Sequence, residues 1–357
     1  MVRRHSRSPL RRGPSGQRPA PGALRAPGPL LLAALLLVLP ALFSAIPSPA
    51  AAERLTTAFQ SLTIGGSTVY WVAKDAGFFE RHGLDVTIVF VEGSPRTMQT
   101  LIAGESQIAD ATGPSVLNAR AAGSPVVLIA GMINVMPYYL IVHSSIQSPA
   151  DLKGKVGANH IPGTTADTVI RVGLKALGLD PDRDVSLRAI GNTPMRLQAL
   201  VAGFAKFMVG QDLELLQAKR LGFKVLVDYV AARTPFQMSA VATSEGYIRE
   251  KRDVVLGYVK AVAQSLHYLK TNREGSIAII KRYARFMNPD VIGPAFDAAR
   301  RLYNDTPMPT IEGMEFIAKE LVQRNPKLRT LDVRTAVDLQ FVNELEQNGF
   351  LKSLKGS

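Results

Sequence analysis

The hydrophobic and polar positions change period repeatedly along this chain. From about Leu55, "RLTTAFQSL" reads as a strand. "TIGGST" follows as a turn, with Gly65 and Gly66 free to take unusual φ and Ser67 or Thr68 placed as an N-cap. A helix is predicted from about Thr68 to Phe79, with Trp71 and Phe78 on one face and Gly83 closing it as the C′ residue. "LDVTIVFV" is a second strand. "SPRTMQTLIAG" enters a helix through Ser94 and Pro95, a cap followed by proline at the first helical position. "SQIADAT" is a short strand and "GPSVLNARAAG" another helix. "PVVLIAGM" is a continuous apolar run, the pattern of a strand covered on both faces. Strand and helix alternate, which predicts a parallel sheet.

After the strand "YYLIV" and the short "SPADLKGK" helix, a second alternating set begins. It reads "KVGAN", "PGTTADTVIRVGLKALG", "DVSLRAI", "NTPMRLQALVAG", "AKFMVG", "QDLELLQAKRLG" and "FKVLVDY", strand and helix in turn. "PFQMSAVATS" then looks like a strand returning. Beyond it the pattern is helical, with Val255, Tyr258, Val259, Val262, Leu266 and Leu269 at helical spacing. The expectation is two α/β lobes with a helical C-terminal tail: residues 53–142 in lobe 1, 143–240 in lobe 2, and 241–357 back on lobe 1. Extended segments near 138–143 and 236–243 would cross between lobes and act as hinges that permit closure around a ligand.

Composition changes this picture mainly at the N-terminus. The chain is 46% hydrophobic and 20% charged, an ordinary globular balance. With no Cys, thiolate zinc sites, disulfides and Cys nucleophiles are excluded. Residues 1–29 carry seven Arg and no acid. The apolar run Leu30–Ile46 follows, then Ala50 and Ala52 ahead of Glu53. This is the three-part pattern of a secretory signal over residues 1–52, cleaved before Glu53. The run of 17 residues includes Pro40 and is short of the roughly 20 that span a bilayer. Removing seven of the 42 basic residues leaves 35 against 29 acidic, so the formal charge drops from +13 to +6. No basic run with interleaved aromatics remains, which argues against nucleic acid as a partner.

The stretches "YWVAKDAGFFERHGLDVTIV", "TLIAGESQIAD", "GPSVLNARAAGSPVVLIAG", "SPADLKGKVGAN" and "EGYIREKRDVVLGYVKAVAQSLHYL" together resemble the substrate-binding components of ABC importers of the nitrate, sulfonate and taurine group, which is related to yeast thiamine-pyrimidine synthase. The likeness runs from Leu55 to Leu351. It implies the type II periplasmic binding protein fold, a ligand held between the lobes, and an ABC permease in the inner membrane as partner. It departs from the family at "AGFAKFMVG", where many members carry a charged stretch, and the Cys-rich segment of the synthases has no counterpart here.

In parallel α/β sheets ligands sit beyond the C-terminal strand ends. Helix N-termini there offer free N–H groups and positive partial charge to an anion. Three such ends are candidates: Gly65, Gly66, Ser67 and Thr68; Thr112, Gly113 and Ser115; and Gly163, Thr164 and Thr165. Plain helix capping is the competing reading for each. Trp71 either packs in the core or lines the cleft, with Tyr70 and Tyr138 as lesser candidates. Asn134 follows a strand end, Gln211 and Asp212 follow "FMVG", and His160 ends a strand near the cleft. Asn192 to Pro194 reads first as an N-cap pair. Few Arg or Lys sit at the predicted strand ends, so the ligand's charge is expected to be met by helix starts and hydroxyls. The five His lack metal spacing, and no catalytic motif or cofactor site stands out. The expected protein is a monomeric periplasmic solute-binding protein for a small anion such as a sulfonate, carboxylate or nitrate. The alternatives are a pyrimidine or aromatic ligand stacked on Trp71 or Tyr70, and an enzyme or sensor on the same fold.

Overall fold

The computed structural model describes residues 52–356. The expected export signal lies outside the described residues apart from Ala52. The ten strands are β1 (Glu53–Phe59), β2 (Leu84–Phe90), β3 (Ile108–Ala111), β4 (Val126–Val135), β5 (Tyr139–Val142), β6 (Val156–Asn159), β7 (Ser186–Ala189), β8 (Phe207–Gly210), β9 (Lys224–Asp228) and β10 (Pro235–Ser244). They form two five-stranded sheets, ordered β2-β1-β3-β10-β4 and β7-β6-β8-β5-β9. Helices α1 (Ile64–Asp75), α2 (Phe78–Arg81), α3 (Ser94–Ile102), α4 (Gly113–Ala121), α5 (Thr165–Ala176), α6 (Thr193–Val201) and α7 (Asp212–Arg220) alternate with the strands. The C-terminal part adds α8 (Glu245–Glu250), α9 (Arg252–Thr271), α10 (Arg273–Tyr283), α11 (Pro289–Arg300), α12 (Ile311–Leu321), α13 (Gln340–Gln347) and α14 (Phe350–Leu354).

Both sheets are mixed, not purely parallel as expected. β1 runs parallel to β2 and β3, and β6 parallel to β7 and β8. β10 is antiparallel to β3 and β4, and β5 is antiparallel to β8 and β9. The cause is the route of the chain. A strand that returns from the other lobe, or enters it directly, arrives without the helical crossover that keeps neighbours parallel. β5 lies wholly in the second sheet and β10 in the first, so the crossings run through the short stretches 136–138 and 229–234.

Strand β4 reads apolar because its first eight residues are buried. The first helix starts at Ile64, four residues earlier than expected, with extended Thr63 at its N-cap. It also stops at Asp75, because Gly77 turns left-handed at φ 70° and separates it from α2. On α9, Val255, Tyr258, Val259, Val262, Leu266 and Leu269 are buried in one core with Leu55, Ile108 and α1. A second core runs without a break between the sheets: Ala109, Leu128 and Ala240 share it with Leu140, Val169 and Phe207, and with Met314 and Ile317 of α12. Beyond α12, Arg324 reaches the Asp167 carboxylate at 2.7 Å, and Glu320 pairs with Lys175 at 3.1 Å, both on α5 of the second lobe.

Candidate ligand site

Strands β1, β2 and β3 end on the first sheet at the starts of α1, α3 and α4. Strands β6, β7 and β8 end on the second at the starts of α5, α6 and α7. The two edges meet at His160, which directly follows β6. Its Nε2 lies 3.9 Å from Glu92 Oε1, and its ring lies against Gly93 at the start of α3. Burial, and then the Arg196 charge, pull His160 below the usual imidazole range; Glu92 acts the other way without offsetting them. Near neutrality the imidazole is therefore uncharged, and the contact is a polar one rather than an ion pair.

At the first edge, Ser67 and Thr68 are not caps. They sit inside α1, fully buried, and their hydroxyls donate back to the carbonyls of Thr63 and Ile64. The half-buried positions at this helix start are Ser61, Leu62, Thr63, Gly65 and Gly66. A Cβ on Gly66 would come within 3.2 Å of both Ser61 Cβ and Thr63 Oγ1, so this glycine lets the loop close on its own helix. Thr112 does stand at the N-cap of α4. Its N–H donates to Ser115 Oγ at 3.1 Å, its hydroxyl to Ser94 Oγ at 3.1 Å, and Ser115 Oγ returns a bond to Thr112 O at 2.8 Å. Gly113 faces α12: a Cβ there would fall 2.3 Å from Ile317 Cδ1. Its small size serves helix packing.

The aromatic candidates of the first lobe are spent on the core. Trp71 is 2% exposed and stacks on Tyr283, with centroids 5.3 Å apart and planes at 5°. Tyr70 is fully buried and donates to Asp110 Oδ1 at 3.1 Å. Asp110 went unnoticed in the sequence. A carboxylate in a four-residue strand whose every position is buried is a signal that could have found it. Burial pushes Asp110 up to about 7, against the opposing hydrogen bonds from Gln60 and Tyr70. Asn134 joins the seam between β4, β10 and the tail. Its Nδ2 donates to Met308 O at 2.8 Å, its Oδ1 accepts from Gln237 Nε2 at 3.0 Å, and Gln237 Oε1 accepts from Thr310 N at 2.9 Å.

At the second edge, Gly163 takes φ 83° and donates its N–H to Asp167 Oδ2 at 3.0 Å; a Cβ there would meet nothing within 4 Å. Thr164 caps α5, accepting from Asp167 N at 3.4 Å. Among the described residues, the neighbouring Thr165 hydroxyl and Asn159 Oδ1 are buried without a partner. Gln211 caps α7, with its N–H bonded to Glu214 Oε2 at 3.0 Å, and Asp212 accepts from the Tyr139 hydroxyl at 2.9 Å. Tyr138, at the crossing between sheets, is buried beside Arg196, Glu214 and Gln211.

The residue that sequence reasoning missed here is Arg196. It lies in the first turn of α6, only 2% exposed. Few basic side chains were expected at the strand ends, and Arg196 is one of them, buried there. The available signal was periodicity: Arg196 falls four residues before Leu200, on the buried face of the helix.

Two sheets, a doubled crossing and helix starts along one seam define the class: this is a two-lobe type II periplasmic binding protein fold. The profile described as "NMT1/THI5 like" matches residues 66–275, and the chain belongs to that family. A formylaminopyrimidine-binding protein from Halalkalibacterium halodurans is 26% identical over 223 residues, 60% of this chain and 65%, just under two thirds, of that protein. Among solved structures, the alkanesulfonate-binding protein SsuA from Xanthomonas axonopodis superposes with a TM-score of 0.65 at 20% identity, covering 80% of this chain and 98% of that one. The periplasmic nitrate-binding protein NrtA from Synechocystis gives 0.67 at 14% identity, covering 83% and 88%.

Proposed function

We propose that this protein is the monomeric solute-binding component of an ABC importer, exported to the periplasm, which closes two lobes on a small anion. The observation that carries the reading is the meeting of two strand-end edges at one seam, where His160 of the second lobe reaches Glu92 and Gly93 of the first. Such edges are where α/β folds bind ligands. The relatives' names support it, since they bind a formylaminopyrimidine, alkanesulfonates and nitrate. Two of the three are acid anions. The pyrimidine alternative, as a stack on Trp71 or Tyr70, loses its platform, because both rings are buried in the first core. The reading assigns the protein binding without turnover.

A thermal-shift screen of the mature chain against ethanesulfonate, taurine, butyrate, nitrate and cytosine tests this. A ligand at a hundred times its dissociation constant stabilises the fold by roughly 2.7 kcal/mol. No shift with any of these at millimolar concentration would sink the reading. Sequencing the secreted protein should place its N-terminus at or near Glu53.

A further inference from the structure

Arg196 is a buried cation that makes no close ion pair among the described residues. Every hydrogen bond its guanidinium makes among the described residues goes to a neutral oxygen: Nη1 to Gly191 O at 2.8 Å, and Nη2 to Thr193 Oγ1 at 3.0 Å and Val209 O at 3.4 Å. Its Nε is buried and has no partner. These contacts fix where the group sits. Gly191 follows the end of β7, Thr193 opens α6, and Val209 is one residue from the end of β8. The guanidinium therefore lies at the C-terminal edge of the second sheet. Its charge acts on His160, which itself touches the first lobe.

Glu214 is the acid whose charge acts on Arg196, and it is a poor counter-ion. It is buried, and one carboxylate oxygen is taken by the Gln211 N–H. Burial pushes its carboxyl above the usual range, toward the neutral form, and lowers Arg196 for the same reason. A buried charge without a close partner is costly, and such groups cluster at functional sites. Two more buried polar atoms on the same edge stand unpartnered, Asn159 Oδ1 at the end of β6 and the Thr165 hydroxyl at the start of α5. A planar guanidinium with a free Nε–H is suited to an oxyanion, which accepts charge-assisted hydrogen bonds in its plane.

We propose that Arg196 is the counter-charge for an oxyanion group on the ligand, a sulfonate or carboxylate, bound on the second lobe's edge. The proposal rests on the solute-binding reading and narrows it: the anion is held by one buried arginine of lobe 2, with helix starts in support. Tyr138 lies beside Arg196, Glu214 and Gln211 on the same edge.

The test is calorimetry of the full mature chain with ethanesulfonate, butyrate and cytosine, the last as the neutral probe. The wild type should bind at least one of the two anions. Arg196→Met should weaken that anion about 10- to 100-fold, the range of a lost hydrogen bond to a charged group. Arg196→Lys should fall between the two. Arg196 also braces three oxygens of its own lobe, so melting curves of both variants must show a folded protein. An arginine that only braces the fold would lower the melting temperature and leave anion affinity unchanged in the folded variant, which overturns the proposal while the solute-binding reading stands. Binding of cytosine alone would do the same. Binding of none of the three overturns the proposal, and the solute-binding reading then stands or falls on taurine and nitrate in the thermal-shift screen. If Arg196→Met does not fold, a crystal structure of the wild type with the bound anion decides. An oxyanion within hydrogen-bond reach of the guanidinium supports the proposal, and one held elsewhere refutes it.

Discussion

The two strand-end edges are built from the same parts and use them differently. On the first sheet, Thr112, Ser115 and Ser94 bond to one another, Ser67 and Thr68 bond back into their own helix, and Gly113 makes room for Ile317. On the second, Gly163 faces open space, the Thr165 hydroxyl and Asn159 Oδ1 have no partner, and Arg196 keeps a free Nε. A glycine and a hydroxyl at a helix start thus carry little meaning alone. What separates a cap from a site is whether its polar atoms are already committed, since a committed donor must break a bond before it can make another.

The largest effect that would test this contrast concerns Asp110, the buried acid of the first edge. Its folded-state value near 7 lies above the usual 3.8 or so of an unfolded chain. Between these values the folded state holds a proton that the unfolded state has released. Stability therefore falls as pH rises from about 4 to about 7, by up to roughly 1.4 kcal/mol per pH unit from this group. Asp110→Asn should remove that slope, so the gap between variant and wild-type melting temperatures should widen in the variant's favour as pH rises. A gap independent of pH would mean the carboxyl ionises freely in the fold.

Next come the two glycines at corresponding helix starts. Gly113→Val drives a methyl into Ile317 and Met314 and should cost about 1–3 kcal/mol by overpacking. Gly163→Val places its Cβ clear of any atom within 4 Å, and its cost should come from the left-handed backbone, roughly 1–2 kcal/mol. Pairing each with Ile317→Ala separates the causes. The truncation should relieve Gly113→Val and leave Gly163→Val unchanged in denaturant melts; equal relief would erase the difference between the edges.

The smallest effects belong to the hydroxyls. Ser115→Ala removes the partner of the Thr112 N–H and should destabilise by about 1 kcal/mol, the usual worth of such a cap. Thr165→Val removes an unpartnered hydroxyl at nearly constant shape, and should be neutral or stabilising by up to about 1 kcal/mol in urea titrations. If Thr165→Val instead destabilises as much as Ser115→Ala, the second edge is as closed upon itself as the first.

Local patterning marked out the alternation of strands and helices, the returning strand Pro235–Ser244 and the apolar face of α9, and with them the two-lobe class. These follow from local rules: period, caps and turn residues depend on neighbours a few positions away. The direction of β5 and β10, the core running between the sheets, and the roles of single site residues were decided by tertiary structure. Gly113 packs on Ile317, Asn134 bonds Met308, and Trp71 stacks on Tyr283, each partner far along the chain. Arg196 shows the same limit from the other side. Its place on a buried helical face could be read from its spacing to Leu200, but its lack of a counter-ion depends on which carboxylates the folded chain brings near, and no short stretch of sequence holds that information.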